Sequence, residues 1–571
     1  MVRIPERSPD LVETPLLARI RESVIGDDVL VTTPFGQRRV TYADYTASGR
    51  ALDFLEEFIQ HEVLPRYANT HTESSGTGRQ TSRLREDART IIKQAVNGDD
   101  STAVIFAGSG ATGAIDKLIG ILNIRIPADL DRRHHLRDLI PADDRPVVFV
   151  GPYEHHSNEL PWRESICDVV RIDEDVDGHI DAAQLATELR NYAARPLLIG
   201  AFSAASNVTG IVTDTHGITK LLHQHGALAV WDFAAAAPYV DIEMNPRDGD
   251  PLTYKDAIVL SPHKFIGGPG TPGVLIIRKE LAANSVPDVV GGGTVAYVNP
   301  MEHVYLDNVE AREEGGTPAI VESIRAGLVF QLKQAVGVDV IRAHEADYVA
   351  RALAAWSDSP GMQILGNPQA DRLSIVSFVV RRPNGRFLHH NFVVAVLNDL
   401  FGIQARGGCS CAGPYGHHLL GIDLETSHAF EEQITGGCEG IKPGWVRVNF
   451  NYFISEAVFR YIVEAVALVA EHGWTLLPQY EFDVESGLWR HREQPDEHLL
   501  RLPDISYEGG RMSWPKVGGT VAESALAEYL AESHQLMHSL QDVDLGAAPV
   551  GLGARFEELR WFELPAISVR H

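Results

Sequence analysis

Six short, almost wholly apolar segments alternate with stretches of helical character between about residue 84 and residue 280. They are TAVIFAG at 102–108, PVVFVG at 146–151, PLLIGAFS at 196–203, ALAVWDF at 227–233, DAIVLS at 256–261 and GVLIIR at 273–278. Apolar strands that alternate with helices are typical of a parallel sheet covered on both faces. Such sheets bind ligands at the carboxyl ends of their strands. The residues that follow each segment are therefore the first candidates for a functional site.

Further structure is predicted outside this alternation. Strands at 372–380 and 445–450, with a helical segment at 391–401 between them, predict a second and smaller α+β domain. The remaining C-terminal residues are richer in Trp, Pro and acidic side chains, and the pattern assigns them no role. The predicted organisation is an N-terminal segment that packs with the small domain (1–60), a large domain (61–334), a small domain (335–470) and a C-terminal extension (471–571).

The chain is strongly acidic, with 50 Lys and Arg against 77 Asp and Glu in 571 residues, a formal net charge of −27. Such a surface disfavours nucleic acid or an anionic membrane as the partner. Four cysteines are too few for a disulfide framework in a chain of this length. We see no secretory signal and no apolar run of membrane-spanning length. We therefore expect a soluble, cytoplasmic protein.

Candidate ligand-binding residues follow the first and fourth segments. Residues 109–113 (SGATG) lead into a helix, so their backbone N–H groups and the helix dipole suit a phosphate, although an ordinary helix cap gives the same pattern. Asp232 follows the fourth segment directly. A buried carboxylate there needs a cationic partner, such as a protonated heteroaromatic nitrogen. The alternative role for Asp232 is to cap the next helix.

Lys264 follows the fifth segment, within SPHKFIGGPG at 261–270. A lysine between a strand end and a glycine-rich loop can have a lowered pKa and form a Schiff base, although a surface lysine beside a turn fits the same pattern. Asp232 lies 32 residues earlier, with one strand between them. This spacing predicts that Asp232 and Lys264 lie at the ends of neighbouring strands. A phosphate-binding turn, an acid and a lysine are together what pyridoxal 5'-phosphate requires.

Seven motifs from about residue 40 to residue 460 carry a family resemblance. They are YADYTAS at 42–48, YANTH at 67–71, EHHSN at 154–158, SNVTG at 206–210, SPHK at 261–264, GGTP at 315–318 and WVRVNF at 445–450. In this order they resemble fold-type I pyridoxal-phosphate enzymes of the class V aminotransferase group, within it the cysteine desulfurase and selenocysteine lyase branch. The resemblance implies an α/β fold with a mostly parallel seven-stranded sheet, a smaller α+β domain and pyridoxal 5'-phosphate as cofactor.

The resemblance also assigns roles to single residues. It implies that Lys264 carries the cofactor, that His155 stacks on its ring and that Arg447 holds a substrate carboxylate. Together with the phosphate turn and the acid derived above, the predicted cofactor-binding residues are Gly110, Ala111, Thr112, His155, Asn207, Asp232, Ser261, His263, Lys264 and Thr317. The implied substrate-binding residues are Arg447, Ala47, Asn69 and His71. Thr317 would reach the phosphate of a neighbouring subunit, which implies a homodimer with shared active sites.

Two of these assignments have a second interpretation, and one position departs from the family pattern. Arg447 also fits a buried ion pair, and the polar loop that holds Asn69 and His71 also fits a solvated surface loop. The family usually has a glutamine three residues after the aspartate, where it donates to the phenolic oxygen of the cofactor. This chain has Ala235 at that position. Loss of the glutamine donor is expected to change the electronic properties of the cofactor, and with them the activity, but not the binding of the cofactor.

Residues 406–413 (RGGCSCAG) resemble the desulfurase segment R-x-G-x-x-C, which makes Cys411 the expected nucleophile. Its thiolate would attack the sulfur of a cofactor-bound cysteine, giving a persulfide and alanine. Neighbouring glycines would keep the residue mobile, and Arg406 would favour the thiolate. The alternatives are buried structural cysteines, a Cys-x-Cys redox pair, or a metal site with Cys438. We expect no metal.

The sequence thus predicts a pyridoxal-phosphate-dependent transferase or lyase acting on a small amino acid. The first hypothesis is a cysteine desulfurase or selenocysteine lyase with Lys264, Cys411 and His155 as catalytic residues and a sulfur-acceptor protein as partner. The second hypothesis is an aminotransferase, β-lyase or epimerase of the class V group in which Cys411 is not catalytic. A third is a non-catalytic scaffold that binds a protein partner through 471–571.

Overall fold

The computed structural model describes residues 2–70, 72–247, 249–359, 361–495, 499–516, 518–546 and 552–569. The N-terminal elements are α1 (Pro15–Glu22), β1 (Leu30–Thr33), β2 (Gly36–Arg39), β3 (Thr41–Tyr42) and α2 (Asp53–Phe58). Helix α1 begins where it does because Thr14 accepts a hydrogen bond from the Leu17 N–H and proline occupies the first helical position. Strands β1 and β2 form an antiparallel hairpin.

A seven-stranded sheet forms the centre of the large domain. Its strands are β4 (Thr102–Ala107), β5 (Val147–Val150), β6 (Asp168–Arg171), β7 (Leu198–Ser203), β8 (Leu228–Asp232), β9 (Ala257–Leu260) and β10 (Gly273–Arg278). Their spatial order is β4-β10-β9-β8-β7-β5-β6. β10 runs antiparallel to both of its neighbours, and the other neighbours pair in parallel. The predicted mostly parallel seven-stranded sheet is thereby confirmed.

Both faces of this sheet are buried. In β4, Ala103 and Ile105 belong to one apolar cluster, whereas Val104 and Phe106 belong to another. Successive side chains of a strand point to opposite faces, so each cluster lies on one face. The helices of this domain are α3 (Gly76–Ala95), α4 (Gly110–Ile121), α5 (Ala128–His134), α6 (Leu160–Arg163), α7 (Ala182–Asn191), α8 (Thr215–Gln224), α9 (Val309–Glu313) and α10 (Ile320–Val336). A hairpin is formed by β11 (Val295–Val298) and β12 (His303–Tyr305).

All six predicted apolar segments form strands, and the sheet contains one strand that was not predicted. β6 has only four residues, begins with Asp168, ends with Arg171 and is half-buried at the edge of the sheet. A short edge strand with charged ends lacks the continuous apolar run that identifies a central strand, which is why the pattern did not reveal it.

The predicted small domain contains a four-stranded antiparallel sheet with helices. Its elements are α11 (Val338–Trp356), β13 (Met362–Ile364), β14 (Ile375–Val380), α12 (His390–Phe401), β15 (Ile403–Gln404), β16 (Arg406–Gly408), α13 (Gly413–Leu420), α14 (Leu424–Thr435), β17 (Trp445–Asn449) and α15 (Glu456–His472). The strand order is β13-β14-β17-β16. β15 pairs in parallel with β3, and Arg38 donates to the Leu400 carbonyl, so the N-terminal segment contacts this region. The exact domain boundaries stay a prediction.

The C-terminal extension packs on the same region. Its elements are β18 (Tyr480–Phe482), β19 (Trp489–His491), α16 (Leu526–Ser539) and α17 (Ala554–Leu559). The Tyr480 hydroxyl donates to Asp399 of α12 at 2.9 Å, and α16 packs against α15. Among the described residues, no helix combines the length and the apolar character that a membrane crossing needs.

Candidate active site

A cavity of about 220 Å³ lies at the carboxyl ends of β7, β8 and β9. The predicted site residues that line it are Ala47, Gly110, Ala111, Thr112, His155, Asn207, Asp232, Ser261, His263, Lys264, Cys411 and Arg447. These residues come from the N-terminal segment, the large domain and the small domain. Motifs that are up to 400 residues apart in the sequence therefore meet at the sheet edge where ligands of α/β proteins bind.

Two predicted residues that the structure describes, Asn69 and Thr317, do not line this cavity. Asn69 and Thr317 are exposed, and the Asn69 amide donates to the Thr317 hydroxyl at 3.4 Å. Neither lines the cavity of its own chain. Their proposed contacts, one of them with a neighbouring subunit, stay predictions. His71 lies outside the described residues.

Lys264 and Asp232 face the same cavity from neighbouring strands. Lys264 ends a 3-10 turn (Pro262–Lys264) that follows β9. Burial lowers the pKa of Lys264 to about 8, and the negative charge of Asp232 acts in the opposite direction. Burial raises the pKa of Asp232, while the Ala234 N–H, which donates to Asp232 Oδ1 at 2.7 Å, and the charge of Lys264 lower it. Asp232 thus caps a turn and is also a buried acid that a cation in the cavity would stabilise.

The beginning of α4 packs against the segment that carries Lys264. The Ala111 N–H donates to the Ser261 hydroxyl at 2.8 Å. Gly110 has a φ of +56°, and a Cβ at this position would lie 2.9 Å from both His263 Cε1 and Ser261 Oγ. Only glycine fits here without movement of its neighbours. Backbone N–H groups at the N-terminus of this twelve-residue helix carry positive partial charge, so the corner suits an anionic group.

His155 lines the cavity as a neutral ring. The Ser157 N–H donates to His155 Nδ1 at 3.1 Å, which leaves the imidazole proton on Nε2. Burial, followed by the positive charges of Lys264 and His156, lowers the pKa of His155 to about 4. The Ser157 hydroxyl contacts Thr112 Oγ1 at 2.6 Å. These contacts fix an uncharged aromatic ring near the helix N-terminus.

Arg447 is held by a carboxylate that sequence reasoning had not given a role. Its Nη2 donates to Asp44 Oδ1 at 2.7 Å, and its Nη1 donates to the Asn207 carbonyl at 2.9 Å. Arg406 Nε donates to Asp44 Oδ2 at 2.9 Å, so Asp44 joins two guanidinium groups. The buried ion pair considered for Arg447 is therefore present. Arg447 Nε remains buried without an acceptor in the described part of the chain, which leaves a donor for a further carboxylate.

Cys411 lies in a tight turn at the edge of the cavity. The Ala412 N–H donates to the Cys409 carbonyl at 3.0 Å, and Ser410 and Cys411 have φ values of +48° and +55°. This is the geometry of a type I′ turn, which normally contains Asn or Gly. Each non-glycine residue with left-handed backbone costs about 1 kcal/mol.

Three contacts from the large domain hold this turn in place. The Asn207 amide donates to the Ser410 carbonyl at 2.9 Å, and the His156 N–H donates to the Cys411 carbonyl at 2.8 Å. His156 Nε2 also accepts from the Gly413 N–H at 3.0 Å. The Cys411 side chain itself is exposed. The mobility expected from the neighbouring glycines stays a prediction, because the backbone of the turn is bonded on both sides.

Several polar atoms around the cavity are buried without a hydrogen-bond partner in the described part of the chain. They are Thr46 Oγ1, Asn207 Oδ1, Ser410 Oγ and Arg447 Nε. Unpaired buried polar atoms are costly, and a polar ligand would satisfy them. Ala235 lines the same cavity and offers no side-chain donor there. The cavity thus has acceptors, donors and cations for a polar, anionic ligand.

A buried carboxylate behind Asp232 was also not anticipated. Glu154 accepts hydrogen bonds from the Ser203 hydroxyl and the Asn158 amide, both at 2.6 Å. Burial raises the pKa of Glu154 to about 7. Glu154 fixes Ser203, the last residue of β7, which lines the cavity. The sequence signals for this pair were the position of Glu154 at the start of the EHHSN motif and that of Ser203 at the end of an apolar segment.

Comparison with known proteins finds a matching family and related sequences. Residues 41–422 match the sequence model of the family described as Aminotransferase class-V. A probable cysteine desulfurase from Halobacterium salinarum is 26% identical over 399 residues, covering 69% of this chain and 88% of the relative. A probable cysteine desulfurase from Staphylococcus aureus is 26% identical over 401 residues, covering 68% of this chain and 87% of that relative.

Solved structures support the fold. The apo structure of a cysteine desulfurase from Thermococcus onnurineus is similar with a TM-score of 0.62 and 20% identity, covering 80% of this chain and 98% of the other. The cysteine desulfurase CsdA from Escherichia coli gives a TM-score of 0.59 and 20% identity, covering 80% of this chain and 99% of the other. At this level of identity the likeness concerns the fold alone.

Proposed function

Because the chain belongs to the class V aminotransferase family, we propose that it is a pyridoxal-phosphate-dependent cysteine desulfurase. In the proposed reaction, L-cysteine and the Cys411 thiol give L-alanine and a Cys411 persulfide. The observation that carries the proposal is that Cys411, Lys264, Asp232 and Arg447 line one cavity. Relatives described as probable cysteine desulfurases, which match more than two thirds of the chain, add support.

The residues of the cavity fit pyridoxal phosphate. Lys264 would attach to its aldehyde, and the buried Asp232 would pair with its pyridine nitrogen. The N-terminus of α4, Ser261 and His263 would hold its phosphate, and the crowding at Gly110 shows how closely the backbone approaches that corner. When bound, the cofactor supplies an electron sink for charge that develops at the substrate Cα.

The chain's own residues have distinct tasks in this proposal. Arg447 binds the α-carboxylate of the amino acid through Nε, the donor that Asp44 and the Asn207 carbonyl leave unpaired. The lowered pKa of Lys264 makes its amine available as a base for the Cα proton. Cys411 attacks the substrate sulfur from its turn at the cavity edge, and the carbon–sulfur bond breaks. His155 stays neutral and keeps the aromatic face of the cavity uncharged.

The absence of a side-chain donor at Ala235 favours a second candidate function. An aminotransferase, β-lyase or epimerase would use Lys264 and Arg447 in the same way and would not need Cys411. Both functions predict a bound cofactor, so a spectrum alone does not separate them. They differ in whether alanine formation depends on the Cys411 thiol.

We propose three further properties with this function. A homodimer is supported by the exposed positions of Asn69 and Thr317 and by exposed apolar side chains on the β11–β12 hairpin, including Tyr297 and Val304. A cytoplasmic location is supported by the four unpaired cysteines. A sulfur-acceptor protein is supported by the exposure of Cys411.

A substrate screen tests the proposed function. The protein loaded with pyridoxal phosphate is mixed with L-cysteine, L-selenocysteine, L-serine or L-alanine. Visible spectra, alanine, sulfide or selenide, pyruvate and keto acids are measured. Alanine as the main product from L-cysteine supports a desulfurase. Pyruvate and sulfide as main products indicate a β-lyase, and spectral change with keto-acid formation indicates an aminotransferase; either result contradicts the proposal.

The lowered pKa of Lys264 predicts how cofactor attachment depends on pH. With a pKa of about 8, the amine is mainly protonated at pH 7 and mainly neutral at pH 9. We expect the rate of attachment of pyridoxal phosphate to the apoprotein, trapped with borohydride, to rise about tenfold between these pH values and then level off. Labelling of a Lys264→Ala variant is subtracted as background. A rate that keeps rising to pH 10, as for an ordinary lysine, would contradict the prediction.

The glycine at the phosphate corner gives a second prediction. Gly110→Ala should weaken pyridoxal phosphate binding about tenfold, because the new Cβ would crowd His263 and Ser261. Gly226→Ala is the matched control, since Gly226 also has a positive φ, +72°, and has no atom within 4 Å of the added Cβ. Both variants share the backbone strain. Equal losses of cofactor affinity in a titration of the apoproteins would therefore contradict a phosphate site at the N-terminus of α4.

A further inference from the structure

The turn that carries Cys411 also separates the active-site cavity from a second pocket. This rear pocket has a volume of about 260 Å³, and its lining includes Cys409, His156, Lys442 and Trp445. Cys411 lines the active-site cavity and is not among the residues that line the rear pocket. Two cysteines that are two positions apart in the chain therefore border two different spaces.

The lining of the rear pocket also contains polar groups that could bind a ligand. The Trp445 side chain is 1% exposed, and its indole N–H is buried without an acceptor in the described part of the chain. Lys442 is the exposed cation in the lining, and Glu431 is the carboxylate. An N–H donor and a lysine beside a half-buried cysteine provide partners for an anionic sulfur group.

The geometry of the turn allows transfer between the two cysteines. Residues two apart in the chain have Cα atoms no more than about 7 Å apart. A persulfide on Cys411 extends its side chain by one S–S bond, about 2 Å. Ser410 and Cys411 both have left-handed backbone that non-glycine residues disfavour, so a rearrangement of the turn would release strain.

We propose that Cys409 is a second sulfur carrier, which takes the persulfide sulfur from Cys411 and presents it in the rear pocket. The step rests on the proposed desulfurase function. The Cys409 thiolate attacks the outer sulfur of the Cys411 persulfide. A new S–S bond forms on Cys409, the bond to Cys411 breaks, and Cys411 leaves as a thiolate. No oxidant or reductant is consumed, and Cys411 is regenerated inside the active-site cavity.

The test locates the sulfur during a single turnover. The cofactor-loaded protein is mixed with one equivalent of L-cysteine and quenched at intervals. Persulfides are then assigned to single cysteines by tandem mass spectrometry, and alanine is measured in the same samples. Cys409→Ser and Cys411→Ser are compared with Cys438→Ser, the matched control, because Cys438 is also half-buried and unpaired.

In the parent protein and in Cys438→Ser, we expect the persulfide to appear on Cys411 first and then on Cys409. Cys411→Ser should place no sulfur on Cys409. Cys409→Ser should keep the persulfide on Cys411 at every time point, whereas Cys438→Ser should show its later appearance on Cys409. Persulfide confined to Cys411 while alanine forms would overturn the second carrier and leave the desulfurase function intact. A Cys409–Cys411 disulfide with released sulfide would also overturn it. No alanine in the parent protein would instead reject the proposed function.

Discussion

Replacing Lys264 with alanine should lower alanine formation from L-cysteine by on the order of 10⁴-fold, because the variant loses both the covalent anchor of the cofactor and the base. The visible absorption that pyridoxal phosphate gains on joining a lysine should disappear as well. Lys264 is expected to be responsible because its amine lines the cavity beside the buried Asp232, with a pKa of about 8. Absorption spectra and product assays measure both effects.

The control for this prediction is Lys516→Ala, which removes an exposed lysine of the C-terminal extension. It should keep the spectrum and the activity of the parent protein. Thermal melts of both variants show whether they are folded. An unchanged spectrum in folded Lys264→Ala would place the cofactor on another lysine, or nowhere in the protein, and would contradict the assignment of this cavity.

Cys411→Ser should lower alanine formation by on the order of 10³-fold, with the loss in kcat rather than in KM. Serine has a similar size but is a much weaker nucleophile toward sulfur. Lys264, Asp232 and Arg447 are untouched, so the cofactor spectrum should stay as in the parent protein and should still change when cysteine is added. Steady-state kinetics with alanine detection, together with the spectrum, tests the prediction.

This substitution also separates the two candidate functions. Cys438→Ser serves as the control because Cys438 lines neither the active-site cavity nor the rear pocket. A Cys411→Ser variant that forms alanine at the parent rate would show that the thiol is not the nucleophile. The absence of a donor at Ala235 would then favour a lyase or aminotransferase reaction.

The sequence was most informative about the sheet edge. Strands that are buried on both faces are continuous apolar runs in the sequence. The residue that follows each run therefore marks the end of a strand. Asp232 and Lys264 were therefore predicted to be neighbours from their spacing, and both line the cavity of the structure. The motif at 445–450 placed Arg447 in β17, where its side chain reaches the same cavity.

Other features depend on contacts that no local pattern specifies. Asp44 lies about 360 residues before Arg406 and about 400 before Arg447, so the carboxylate that joins them is visible only in the folded chain. The positive φ of Ser410 and Cys411 is likewise imposed by bonds from Asn207 and His156, because the residue types themselves disfavour it. A site that includes a neighbouring subunit, as expected for Thr317, needs a second chain.

The most direct test of the central claim is a single-turnover reaction of the cofactor-loaded protein with L-cysteine, measuring alanine and protein-bound persulfide in the same sample. We expect one alanine and one persulfide for each active site, with the sulfur first detected on Cys411 and none bound in Cys411→Ser. Alanine without protein-bound sulfur, or sulfur bound equally in the variant, would contradict it.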